Sequence, residues 1–271
     1  MFLLLLVGCS ISEKEEIEMG RQSHAQFEKE FGGLYPDQHV QQYVNGVGST
    51  MARYAGRPNL QWQFAVVSSD QINAFAVPGG YIYITQGLLF RMSNEAQLAG
   101  VLGHESGHIA HRHSVKQIQK ARGAQGLTVV AGLAGTIFGI GGVGDITGLV
   151  AGLTLMKYGR DQEREADFSG LKYMTDAGYS PAGMVQLIEV LKSSSGKGSP
   201  EFLSTHPDPG NRIDYLTQTI QQKYAPAAQT GELGEANFKL HVLSRRPGGL
   251  AKRAIEVDRP ESWCALCRRE P

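Results

Sequence analysis

Residues 104–108 read His-Glu-Ser-Gly-His, and no other stretch constrains the folded chain as tightly. Side chains at i and i+4 lie on one helix face, so His104 and His108 can both reach a single zinc ion if the segment is helical. Glu105 then stands beside the first imidazole, where its carboxylate can take a proton from water at the metal as general base. The flanks agree with a helix. Ser93-Asn94-Glu95-Ala96-Gln97 supplies an N-cap candidate and an early acidic residue suited to the positive helix end. Leu98, Val101 and Leu102 add apolar positions at helical spacing, and a basic stretch follows through Lys120. The spacing predicts one helix from about Asn94 to about Arg122. The competing reading is a surface helix with two unrelated histidines.

A catalytic zinc needs a third protein ligand and an open fourth position. Cys9, Cys264 and Cys267 sit at the chain ends and do not readily supply it. The run Arg160-Asp161-Gln162-Glu163-Arg164-Glu165-Ala166-Asp167 offers better candidates. Glu163 and Asp167 form an i, i+4 pair, so Glu163 can bind the metal while Asp167 accepts a hydrogen bond from a ligand imidazole and fixes its tautomer. Glu165 projects elsewhere and is the weaker ligand. The alternative here is a solvated charged helix face.

HESGH followed by Glu-x-x-Ala-Asp resembles the zinc metallopeptidase family that holds HtpX, the CAAX prenyl protease and the Oma-type and BepA/LoiP-like periplasmic peptidases, the gluzincins. Asn73 to Tyr83, Ser204-Thr205-His206-Pro207, Arg212-Ile213 and the stretch around Glu18 to Gln22 are similar to that family too. The resemblance covers roughly Glu13 to Tyr224. It implies a zinc-dependent endopeptidase with one Zn2+ per subunit, held by His104, His108 and Glu163, with Glu105 as base. The implied fold is α+β, a mostly helical zincin-like domain with a small β-sheet whose edge strand borders the active site.

The other matched segments have readings of their own. Trp62 to Val67 and Tyr81 to Thr85 are β-prone runs rich in aromatic and β-branched residues. Between them, Asn73 to Val77 ends at the turn signal Pro78-Gly79-Gly80, as suits an edge strand. Asn73, Ala74, Phe75 and Ala76 are therefore substrate-binding candidates, since an edge strand can take up an extended chain by β-addition. An ordinary hairpin is the simpler account of the same residues. His206 precedes a proline-rich loop, and its readings are a donor to the oxyanion, an extra zinc contact, or a hydrogen-bonded loop histidine. Arg212 is expected to brace the site by pairing with an acidic group. His111 and His113 read as polar positions on the end of the helix.

The chain of 271 residues has 26 lysines plus arginines against 26 aspartates plus glutamates, so nothing points to nucleic acid. No internal repeat follows the catalytic region. Residues 1–9 read as a signal segment: Leu6-Val7-Gly8-Cys9 matches the bacterial lipoprotein box, although the charged start and long apolar core of a usual signal are deficient. Processing there would anchor Cys9 to a membrane on the periplasmic side of the bacterial envelope. Residues 10–224 read as the metallopeptidase domain. Within it, residues 123–156 form a glycine-rich apolar stretch, read as a helical hairpin packed on the domain and shielding the cleft in preference to a membrane insertion. Residues 225–271 read as a linker and poorly ordered tail, with a possible strand over Phe238 to Leu243 and a lone CxxC at Cys264 and Cys267. The expected substrate is an extended or misfolded polypeptide, such as an unfolded or misassembled envelope protein. The competing function is a non-catalytic, chaperone-like assembly or quality-control factor with a zinc-stabilised fold. The sequence carries no signal for oligomeric state.

Overall fold

The three strands β1 (Gln63–Val67), β2 (Ala74–Val77) and β3 (Tyr81–Thr85) are short and mostly apolar, as strands with helices on both faces should be, with Gln63 at the exposed start of β1. Their order is β1-β3-β2, with β1 parallel and β2 antiparallel to β3. Side chains alternate between the two faces. Phe64, Val66, Ala74, Ala76, Ile82 and Ile84 join the main core, whereas Phe75, Val77, Tyr81 and Tyr83 join a second cluster on the opposite face. This is a computed structural model of the chain, and it describes residues 10–125, 146–194, 200–207 and 211–246. The lipoprotein-box segment, most of the glycine-rich stretch and the CxxC tail lie outside the described residues.

Helices cover both faces of the sheet. On the second face lies α1 (Glu13–Glu30), begun by a capping box in which Ser12 and Glu15 bond each other's backbone. Phe27 and Phe31 of α1 pack on Phe75, at ring separations of 5.1 and 4.4 Å. Close approach of α1 to the β2–β3 turn requires glycine at position 20, where a Cβ would lie 2.0 Å from the Pro78 carbonyl oxygen. On the main-core side, α2 (Gln38–Ala52) and the short α3 (Gln86–Leu89) flank α4 (Glu95–Ala110). Asn94 caps α4 by accepting from the Gln97 backbone at 2.9 Å.

The expected single helix over 94–122 is two helices. α4 ends at Ala110, and α5 (His113–Gln125) starts after Arg112, whose φ of 57° turns the chain sharply. Arg112 is held there by Glu16 at 2.8 Å and by the Ile11 carbonyl at 2.6 Å. Next in chain order come α6 (Ile146–Thr154), α7 (Arg160–Asp176), α8 (Ala182–Ser193), α9 (Glu201–Thr205) and α10 (Arg212–Lys223). No helix among the described residues is long and apolar enough to cross a membrane.

Residues past Tyr224 also depart from the expected linker and strand. Ala225–Thr230 forms α11 and Glu235–His241 forms α12, with Phe238 and Val242 buried in the main core. Alternating propensity favoured a strand at Phe238, but burial of that ring one turn before Val242 favours the helix.

Candidate metal centre

The site is built where α4 crosses α7. The two backbones approach closely because small residues line the seam: a Cβ on Gly103 would meet Gly170 at 3.3 Å, and one on Gly107 would meet the Ala166 carbonyl at 2.9 Å. That approach brings His104 and His108 of α4 opposite Glu163 and Asp167 of α7, all four fully buried. His104 Nε2 and His108 Nε2 lie 3.0 Å apart, and the Glu163 carboxylate lies 3.6 Å from the first and 3.5 Å from the second. His206, immediately after α9, adds Nδ1 at 3.3 Å from His104 Nε2 and 3.1 Å from Glu163. Ligand atoms of His104, His108, Glu163 and His206 all fall within 4.8 Å of one another.

This donor set fits a metal ion. Asp167 accepts from Nδ1 of His104 and so leaves the Nε2 lone pair of His104 facing His108 Nε2, while His113 engages Nδ1 of His108. Two imidazole nitrogens 3.0 Å apart hold either a proton or a cation between them. The Glu105 oxygens and Glu163 Oε2 are buried and accept no hydrogen bond within the described residues. Buried carboxylate oxygens in that state are costly. Two imidazoles and a carboxylate form a donor set suited to zinc.

The charges around the site are arranged to support it. Burial would raise the Glu163 carboxyl, but His206, His108 and His104 outweigh it and hold it well below the usual carboxylate range. Burial lowers His108 well below the ordinary histidine value, leaving it neutral and able to bind a metal. Burial pushes Glu105 up, against the pull of His206 and His104. His206 Nε2 lies 3.6 Å from Glu105. Asp167 accepts from His104 Nδ1 at 2.9 Å and from Arg212 through both of its oxygens, at 2.5 and 2.9 Å, and Tyr215 donates to it as well. Arg212 Nη1 also stands 3.4 Å from Glu163, so this arginine braces α7 through two carboxylates, in keeping with its sequence reading.

Three features depart from the sequence reading or were absent from it. His113 is buried and bonded to His108 Nδ1 at 2.8 Å, so it is no mere polar position at a helix end. Glu165 stands outside the ligand cluster, as its sequence reading had it, but bonds His113 at 2.9 Å, a contact that reading lacked, while His111 pairs with Glu165 at 3.2 Å on the surface. Tyr158 stacks on the His108 ring with centroids 3.9 Å apart and bonds Ser114 at 2.9 Å. The proximity of His113 to its ligand arises from the turn at Arg112, which carries no periodic signal in sequence.

β2 is an edge of the sheet, as anticipated for residues 73–76, but its free side is covered. Ala74, Phe75 and Ala76 line a crevice of about 10 Å³ closed by Leu153, Thr154, Met156, Tyr158, Thr205 and His206. That is room for about one water. Asn73 is buried as well, and its side-chain oxygen accepts from the Ala74 backbone at 2.9 Å.

Comparison with known proteins adds kinship to this geometry. The model of peptidase family M48 matches residues 38–220. The beta-barrel assembly-enhancing protease of Escherichia coli (strain K12) is 28% identical over 233 residues, which is 83% of this chain and 48% of that protein. The protein of the same description from Yersinia pestis is 29% identical, covering 86% of this chain and 50% of its own. The mitochondrial metalloendopeptidase OMA1 of Schizosaccharomyces pombe is 29% identical over 76% of this chain and 61% of that one. The chain thus spans about half the length of the bacterial relatives it matches.

Proposed function

This chain belongs to peptidase family M48, and from that membership we propose that it is a zinc-dependent metalloendopeptidase with Glu105 as general base. The observation that carries the reading is the buried convergence of His104, His108 and Glu163 around one point, with both Glu105 oxygens beside it accepting no hydrogen bond among the described residues. His104, His108 and Glu163 would hold the ion, and His206 stands as an additional contact or as a donor to the developing oxyanion. Zinc bound there supplies Lewis acidity toward water and the scissile carbonyl.

The chain's own groups do the rest. Glu105 takes a proton from the attacking water and passes it to the leaving amine nitrogen, and a carboxyl raised by burial is better matched to proton transfer near neutral pH. Asp167 fixes His104 with its Nδ1 protonated, so that Nε2 faces the ligand point. Arg212 keeps Asp167 ionised. The β2 edge would recognise substrate through backbone pairing, which favours extended or misfolded chains and tolerates many sequences. Residues 153–158 must withdraw from that edge before a strand can add, so the enclosed crevice reads as a shielded resting form. Unfolded or misassembled envelope proteins are the substrate class we favour, supported by the lipoprotein box ending at Cys9 and by the names of the bacterial relatives.

The test compares wild type with Glu105→Gln on unfolded casein, with zinc content measured in both. Cleavage by wild type alone at equal zinc is the expected result, with the variant's rate down by roughly 10²–10⁴. Equal cleavage by the two proteins would overturn Glu105 as base.

A further inference from the structure

We propose that His113, backed by Glu165, is a positioning residue for His108, setting the tautomer and direction of that metal ligand. The inference rests on the zinc-site reading above and extends it to the ligand histidine that Asp167 does not touch. His108 presents Nε2 to His104 and Glu163, which leaves Nδ1 to be satisfied elsewhere. The group within reach is His113 Nδ1, at 2.8 Å. A metal on His108 Nε2 requires the proton on Nδ1, so His108 donates and His113 Nδ1 accepts. His113 must then carry its own proton on Nε2, and that nitrogen faces Glu165 Oε2 at 2.9 Å. The result is a directed chain, His108 to His113 to Glu165, running from a fully buried ligand to a carboxylate that is 47% exposed.

The arrangement is built rather than incidental. The left-handed turn at Arg112 swings the start of α5 beneath His108, and its first two residues act together. His113 engages the His108 ring edge, while Ser114 bonds Tyr158, whose ring stacks on the His108 face. Both the edge and the plane of the ligand imidazole are thereby fixed by one turn. α7 in turn uses three alternate residues for the centre. Glu163 faces the ligand point, Asp167 holds His104, and Glu165 reaches His108 through His113. A carboxylate behind a ligand histidine increases its basicity and holds its orientation, and loss of such a partner typically costs 10–100-fold in metal affinity.

The experiment measures zinc affinity by competition with a chelating dye, together with the visible spectrum of the Co(II)-substituted protein and the melting temperature of the metal-stripped protein. Four variants suffice: His113→Leu, His113→Asn, Glu165→Ala and, as control on a helix away from the centre, His24→Ala. We expect His113→Leu to weaken zinc by about 10–100-fold and to shift the Co(II) bands. His113→Asn recovers much of the loss, because its side-chain oxygen accepts from His108 Nδ1. Glu165→Ala, at a half-exposed position that leaves the fold intact, weakens zinc by about 3–10-fold, and His24→Ala leaves affinity unchanged. A role in folding alone would lower the melting temperature of the stripped protein and leave affinity and spectrum where they were, which overturns the proposal. Should His113→Leu fail to fold, Glu165→Ala decides: affinity within about twofold of wild type overturns it. Wild-type protein that takes up no zinc overturns the metal-site reading and this inference together, whereas normal wild-type uptake with unchanged variants overturns this inference alone.

Discussion

Asp167 is the residue on which most of the buried charge depends. Burial by itself would lift its carboxyl, but Arg212 and His104 hold it at about 2, below the ordinary 3.8. A group with a lowered folded value contributes stability that is full above its unfolded value and disappears as pH falls toward the folded one. Asp167→Asn would leave the Arg212 guanidinium buried without its main counter-charge, at a cost of about 3–5 kcal/mol. Urea titrations of metal-stripped protein should therefore show the widest gap between wild type and variant above about pH 4, narrowing toward pH 2. A gap that stays constant across that range would show that Asp167 contributes through packing and not charge. At this scale His104, Glu105, His108, Glu163 and Asp167 were legible because i, i+4 spacing is a local rule. His113 and Tyr158 were not, since one depends on a left-handed turn and the other on a stack between residues far apart in the chain.

Among elements, the seam between α4 and α7 sets the geometry of the centre. Gly107 occupies one of the two positions that the HExxH pattern leaves open, yet its neighbour across the seam leaves no space for a methyl group. Gly107→Ala should push the helices apart, destabilise the fold by about 1–3 kcal/mol and weaken zinc binding, because the ligands sit on opposite sides of the seam. Calorimetry and the same dye competition read both effects; a stable variant with native zinc affinity would show that the seam can give. β1 and β3 were readable from their aromatic and β-branched residues, and β2 from the turn signal that ends it. The break at Arg112 was not, because the apolar and basic pattern continues through it and the turn is enforced from outside by Glu16 and Ile11.

Over the whole molecule, the C-terminal segment works as a strap. Leu233 accepts from the Ala96 backbone at the start of α4, Glu232 exchanges backbone bonds with Gly178 and Ser180, and Arg245 pairs with Asp37 at 3.1 Å at the start of α2. Phe238 fills the core beneath it. Phe238→Ala should cost about 3–5 kcal/mol, far more than a linker residue would, and a denaturant midpoint equal to that of wild type would refute this role. Composition had assigned residues 225–236 to a linker because alanine, glutamine and proline carry little amphipathic signal; burial is contributed by the residues that follow.

The seam at Gly107 and Ala166 also has a consequence in polymer terms. α4 leaves the crossing at Ala110 and α7 returns to it at Arg160, so the chain between them is pinned at both ends. The entropy of closing such a loop grows only with the logarithm of its length, and doubling it costs roughly 0.6 kcal/mol. The chain between α5 and α6 can therefore lengthen or shorten with little effect on how the two helices meet, so long as His113, Ser114 and Tyr158 keep their places against His108. Variation in length before α6 is thermodynamically cheap, while variation at the two small residues that pin its ends is not.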